Sequence, residues 1–466
     1  MLGNLRQTLR YTSWPILAAT IALMGIGITA ISVAERSDLA LHGYAVRQIA
    51  FACGGLLAFF AATILPYRRL GRAAYWLFGA TLAVLVVLVV PKVLARFGIQ
   101  LVPLDAVIPE IRGSRRWINL GFVQAQPSEL AKLSFVILLA WYLRRGDHYR
   151  RLRGLVMPFV MTLVPMALIL VEPDLGTALL LLPTLYFMLF MAGSKLRHLL
   201  GIVALGTALV LVPIPSRLDG GGASGSRRNL AYWTFHSGDA EYAMLAAPLA
   251  KMQPHQLSRI EGWLRQENPA IILREDVRRE RPEDYQLHMH QGYQLLQSKL
   301  VLGAGRMFGR GDWNKTAGFF RMLPDDHTDF IFSVIGGQWG FAGCAAVLLL
   351  YAIIFLFGIE IAAITYDPFG RLLAVGMMAL LFSQICINVG MTMGLMPITG
   401  MTLPLVSYGG SSLVVNCAAL GLLVNVGQRR PILLSRRPFE HGKKRERLAG
   451  PESPLANVSR RPKPGQ

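Results

Sequence analysis

The sequence predicts an all-α polytopic membrane protein, with ten transmembrane helices and a long extracytoplasmic loop between helices 7 and 8. Three observations lead there. The 466 residues are 53% hydrophobic and only 16% charged, whereas a soluble domain carries about 25% charged residues. The mean hydropathy is +0.44. The charge deficit falls in repeated blocks near the roughly 20 residues that a spanning helix needs. A net charge of +20 raises nucleic acid as a partner. The basic residues, however, sit in short loops between apolar runs and in the tail "RRPILLSRRPFEHGKKRER", which suits membrane edges facing anionic lipid. With no folded basic domain, membrane lipid is the expected contact and nucleic acid is not.

The ten runs are 14–33, 49–65, 75–91, 130–143, 155–171, 175–192, 199–213, 330–357, 372–393 and 413–426. The first follows Arg6 and Arg10. It is too long for a signal-peptide core and many spans follow it, so it reads as an uncleaved first helix. Several other runs are short and need their flanks to complete a span. Arginine in the short loops sets the orientation. "YRRLGR" (67–72), "RRGDHYRRLR" (144–153), "GSKLRH" (193–198) and the C-terminal tail share one side with the N-terminus. By the positive-inside rule that side is the cytoplasm, so both termini are expected there.

Two outer connections stand apart. The loop 92–129 carries Lys92, Arg96, Arg112, Arg115 and Arg116 against the bias, which marks them as ligand-binding candidates. The segment 214–329 opens with "GGGASGS", a flexible linker by composition. It includes "PHQLSRIEGWLRQ", which suits a short helix. A connection of that length in a compact membrane protein is functional or disordered, and long segments translocate whatever their charge. The chain thus divides into one transmembrane domain, 1–428, and a basic tail, 429–466, expected to be disordered.

The cysteines Cys53, Cys344, Cys386 and Cys417 lie singly in apolar stretches and read as packing residues. His255, His288 and His290 lack the spacing of a metal site. The glycines of "GYQLLQSKLVLGAGRMFGRGDW" (292–313) match no nucleotide fingerprint. Neither metal nor cofactor is expected.

Four constellations carry chemistry. In "GSRRWINLGFVQAQPSELAKLSFVILLA" (113–140), Pro127 suits a first helical turn and Ser128 a cap. Glu129 and Lys132 stand three apart on one helical face, as a functional pair or an ion pair that locks the helix. Arg115 and Arg116 beside Trp117 could grip phosphate through forked donors, or snorkel to headgroups. "EPDLGT" (172–177) places Glu172 and Asp174 at a turn between two spans. "GLMPITGMTLPLVSYGGSS" (394–412) reads as irregular backbone lining a cavity, the setting in which such backbone is tolerated at membrane depth. Finally, "RMLPDDHTDFIF" (321–332) sets Asp325, Asp326, His327 and Asp329 at the lip of an apolar run. Helix capping explains one acidic residue but not three with a histidine, and such a cluster points to acid/base chemistry.

The motifs "GSRRWI", "QPSELAK", "EPDLGT", "GYQLLQSK", "LPDDHTDFIF" and "PLVSYGGSS" together resemble the SEDS proteins (shape, elongation, division, sporulation), the RodA/FtsW group of peptidoglycan glycosyltransferases. The resemblance spans nearly all ten runs. It implies polymerisation of lipid II, the undecaprenyl-pyrophosphate disaccharide-pentapeptide, on the outer face of the membrane, with a class B penicillin-binding protein as partner. It implies that Asp329 is catalytic. It also implies that Arg115, Arg116, Trp117, Glu129, Lys132, His327, Gln297, Ser298 and Ser407 contact substrate. "QSKLVLGAG" and "MPITGMTLP" resemble the elongation (RodA) branch more than the division (FtsW) branch. The chain departs from the family in three places. Gly337 and Gln338 stand where a Glu-Glu pair is usual, extra sequence fills 220–250 and 270–288, and "QLHMHQ" replaces the usual Asp-Pro-x-Gly-x stretch. A lipid II flippase and a non-catalytic scaffold are the alternatives. Flipping needs charge along a path through the bilayer, whereas the motif charges here gather at one face.

Overall fold

The computed structural model describes residues 13–37, 43–96, 108–109, 116–119, 124–146, 148–172, 174–217, 233–237, 240–246, 260, 263, 294–310 and 327–429. The helices are α1 (Trp14–Ser37), α2 (Tyr44–Ile64), α3 (Tyr67–Arg72), α4 (Ala74–Arg96), α5 (Pro127–Leu143), α6 (Leu152–Val171), α7 (Leu175–Ala192) and α8 (Leu196–Leu211). They continue as α9 (294–304), α10 (Ile331–Ile364), α11 (Pro368–Thr392) and α12 (Gly410–Gln428). Each of the ten apolar runs falls on one of these helices.

Among the described residues, eight helices are long and apolar enough to cross a membrane. The other two, α5 and α8, have 17 and 16 residues. At 1.5 Å per residue they reach about 24–26 Å, short of a hydrocarbon core of roughly 30 Å. The first turns of α5 also hold the charged Glu129 and Lys132.

Strands add to the all-α expectation. β1 (Ile118–Asn119) and β2 (Gln124–Ala125) form an antiparallel pair before α5. β3 (Pro213–Arg217), β4 (Trp233–Ser237) and β5 (Ala240–Ala246) form an antiparallel sheet of order β3-β5-β4 inside the long connection. Over 242–245 of β5 the half-buried Tyr242 and Met244 alternate with the buried Ala243 and Leu245, the period that a one-sided sheet requires. The "GGGASGS" stretch and the tail beyond 429 lie outside the described residues, as does most of "PHQLSRIEGWLRQ", whose residues 260 and 263 are helical.

The core is organised around α11, which packs on α5, α7, α10 and α12, while α2 lies along α12 and α1 along α10. Lipid tails are as apolar as leucine, so such helices associate through close fit. Gly421 shows this: a Cβ there would stand 2.3 Å from the Phe59 carbonyl oxygen of α2. Outward-facing apolar residues such as Leu57, Leu205 and Leu209 remain exposed, as a lipid-facing surface demands.

α10 is broken at Gly340, whose φ of 66° and ψ of −159° are non-helical. The break releases the amides of Phe341 and Ala342, and they donate instead to the carbonyls of Arg306 (2.8 Å) and Met307 (3.0 Å). The backbone after α9 therefore docks into the kink. A Cβ on Gly305 would meet the Gly336 carbonyl oxygen at 1.8 Å, and Arg310 donates to the Gly337 carbonyl at 3.4 Å. This close approach gives a physical reason for glycine at 305.

Candidate active site

Hydrogen bonds gather the N-terminal ends of α2, α5, α7, α10 and α12 at one end of the bundle. Each carries unpaired amides and partial positive charge, so this end favours anions. Asp174 is the N-cap of α7: Oδ1 accepts from the Thr177 amide (3.2 Å) and Oδ2 from Gln126 Nε2 (2.9 Å) and Ser128 Oγ (3.0 Å). Ser128 thus ties α5 to α7 and does not cap α5, whose cap position is Gln126. Ser411 Oγ accepts from the Gln126 amide (3.1 Å) and donates to the Gln124 carbonyl (3.0 Å), joining β2 and α5 to α12.

The Glu129–Lys132 pair is real and dry. Nζ lies 2.8 Å from Oε1, with side-chain exposures of 2% for Lys132 and 7% for Glu129. Glu129 Oε2 and the Nε of nearby-in-sequence Arg116 are buried with no hydrogen-bond partner among the described residues. Trp117 is half-buried beside Arg116, just before β1. Arg115, Asp325 and Asp326 lie outside the described residues.

Asp329 occupies a turn, 327–330, ahead of α10. The cap position is Phe330, one residue beyond Asp329. Three consecutive carbonyls of the turn are held from outside it. The Tyr408 amide donates to His327 (2.9 Å), Ser407 Oγ to Thr328 (2.5 Å) and Asn388 Nδ2 to Asp329 (3.0 Å). The His327 ring packs edge-on against Tyr44 at 5.1 Å and tilted against Tyr408 at 5.8 Å. Arg47 stands 5.8 Å over the Tyr44 ring.

Two expected site residues, Ser407 and Ser298, brace the fold. Ser407 is buried, and its Oγ also accepts from the Leu403 amide at 2.7 Å. Ser298 is fully buried on α9, with Oγ 2.6 Å from Ser333 Oγ and donating to the Thr392 carbonyl at 2.8 Å. It bolts α9 to α10 and α11, and Gln297 beside it is buried too. Sequence reasoning missed Gln48 and Asn388. Both are polar residues in or beside an apolar run, and that alone marks a residue for function or for a bond it must make.

Known proteins fit this arrangement. The cell cycle protein family of FtsW, RodA and SpoVE matches residues 11–431. The chain belongs to this family. It is 30% identical to the peptidoglycan glycosyltransferase RodA of Treponema pallidum (strain Nichols), over 89% of this chain and 97% of that protein. It is 32% identical to a probable peptidoglycan glycosyltransferase FtsW of Thioalkalivibrio sulfidiphilus (strain HL-EbGR7), covering 88% and 87% respectively. In three dimensions it resembles a chain from a peptidoglycan synthase complex that coordinates polymerization and crosslinking. That match has a TM-score of 0.63 at 28% identity, and covers 91% of this chain and 99% of that one.

Proposed function

We propose that this member of the SEDS family is a peptidoglycan glycosyltransferase that polymerises lipid II on the outer face of the cytoplasmic membrane. Ten spans, with 214–329 outside and both termini inside, would place the Asp329 end of the bundle at that face. Asp329 is the general base. It takes the proton of an acceptor-sugar hydroxyl as that oxygen bonds to the anomeric carbon of a second lipid-linked sugar. The bond from that carbon to pyrophosphate breaks, and the pyrophosphate lipid leaves. Arg116, with Arg115, binds pyrophosphate through forked charge-assisted donors, stabilising the charge that develops on the leaving group. Trp117 supports this contact at the interface, and the Glu129–Lys132 pair belongs to the same site. Substrate oxygens would satisfy the buried Arg116 Nε, which otherwise carries a desolvation penalty of about 1–3 kcal/mol.

The observation that carries this reading is the turn bearing Asp329. Three donors from two other segments hold three successive carbonyls, which is the fixed backbone a positioned base needs. A class B penicillin-binding protein is the proposed partner, supported by the likeness to a chain of a synthase complex. Elongation is the proposed process, on the branch-specific motifs.

The test is glycan-strand formation from purified lipid II in detergent. Positioned acid/base catalysis contributes typically ~10²–10⁴-fold, so Asp329→Asn should lose detectable polymer while keeping the parent's melting temperature. A stable Asp329→Asn protein that polymerises normally excludes the base assignment. Polymer made by the purified parent excludes the flippase and the scaffold.

A further inference from the structure

We propose that Gln48 is a positioning residue for the transfer step, acting on Asp329 through the backbone of Tyr408; this rests on the reading of Asp329 as the base. Gln48 lies in the first turns of α2, whose neighbouring Val46 and Ile49 are 70% and 48% exposed, yet it is itself buried. Its amide straddles Tyr408. Nε2 donates to the Ser407 carbonyl at 3.1 Å, and Oε1 accepts from the Gly409 amide at 3.4 Å. A side-chain amide that binds the carbonyl before a residue and the N–H after it fixes both peptide planes of that residue.

Tyr408 and its neighbour are the pieces that hold the catalytic turn. The Tyr408 amide donates to His327 and Ser407 Oγ to Thr328, the two residues before Asp329. The clamp therefore runs from α2, through 407–409, into 327–329. The loop needs such a clamp, because Leu405 holds a φ of 67°, a conformation that persists in a non-glycine residue only when its surroundings over-determine it. On the far side, Asn388 Nδ2 grips both the Asp329 and Met401 carbonyls, so the turn is held between α2 and α11. Among the described residues, the Gln48 side chain bonds only to this loop, so its effect on chemistry must pass through it.

The role shows as a split between turnover and binding. Gln48→Met keeps the length and volume but can neither donate nor accept at these positions. Misplacing a reacting group by about 1 Å costs on the order of 10²-fold. With lipid II as substrate, kcat should fall roughly 10- to 100-fold with KM within about twofold. Ser407→Ala, which removes the bond to Thr328 and little volume, should behave alike. The double variant should cost no more than the worse single, because both act on one turn.

Parent-like kcat in folded Gln48→Met, with Asp329→Asn inactive, overturns the positioning role and leaves the base assignment standing. A raised KM at unchanged kcat overturns it too, making Gln48 a binding residue. An active Asp329→Asn overturns the base assignment, and the positioning role with it. If Gln48→Met does not fold, parent-like kcat in Ser407→Ala overturns the proposal on its own.

Discussion

Two fully buried asparagines, Asn388 in α11 and Asn425 in α12, are used in opposite ways at opposite ends of the bundle. Asn425 Nδ2 donates to the carbonyls of Ala62 (2.8 Å), Thr63 (2.7 Å) and Leu65 (2.6 Å), and its Oδ1 accepts from the Tyr67 amide (3.3 Å). These are the carbonyls left orphaned where α2 ends. The same end is closed further by Arg429, which donates to Ile64, and by Tyr67 Oη, which donates to Asp367 at 2.8 Å. Asn388 gives its donors to Asp329 and Met401, but its Oδ1 is buried without a partner among the described residues. One turn away Gln384 repeats the pattern, with Nε2 donating to Thr402 at 3.0 Å and Oε1 unmatched. The Asn425 end is a finished lock. The Asp329 end fixes its backbone yet leaves buried acceptors unused, and native proteins break local rules of this kind mainly at functional sites.

The comparison can be broken most forcefully at Glu129. Glu129→Gln strands the ammonium of Lys132 in a dry site, and losing one partner of a buried pair costs about 3–5 kcal/mol. Thermal unfolding in detergent should show a large fall, partly recovered in Glu129→Lys/Lys132→Glu. Parent-like melting in both single neutral variants would make the pair dispensable.

Next, Asn425→Ala should cost about 1–3 kcal/mol, since it abandons buried carbonyls, while turnover per folded molecule stays near the parent's. Asn388→Ala should do the reverse, losing more turnover than stability. Equal behaviour of the two, in paired melting and polymerisation assays, would erase the distinction drawn between them.

Arg116→Lys keeps the charge and loses the planar fork. Lipid II affinity should weaken by about tenfold, the equivalent of ~1.4 kcal/mol. Parent-like binding by both Arg116→Lys and Arg116→Ala would return this arginine to headgroup snorkelling.

The smallest effect is expected at Tyr67. Burial first, and then the charge of Asp367, hold its phenol well above the ordinary range. A raised acid stabilises the fold in its protonated form, so this contribution is complete below about pH 10, the unfolded value, and fades as pH rises beyond it. Tyr67→Phe should cost about 1 kcal/mol at neutral pH and flatten the alkaline loss of stability. A variant as alkali-sensitive as the parent would assign that loss to other groups.

Hydropathy alone located the eight spanning-length helices found among the described residues, because a bilayer requires long apolar runs with internally satisfied backbones, a signal local in sequence. The Glu129–Lys132 contact was legible for the same reason, since a spacing of three sets two residues on one helical face. The sheet β3-β5-β4 was not, because its strands are short and pair across a connection that composition marks as flexible. Nor were the true partners of Ser128, Ser298 and Ser407. Each donates to or accepts from a residue 35 or more positions away. Sequence shows that a buried hydroxyl must find a partner but cannot say which. The acidic motif around Asp329 was visible as chemistry in the sequence. Only the tertiary structure decided that the backbone of the turn at Asp329 is gripped by Ser407, Tyr408 and Asn388, with Gln48 on the loop behind them, because hydrogen bonds between distant segments exist only once packing has brought them within about 3 Å.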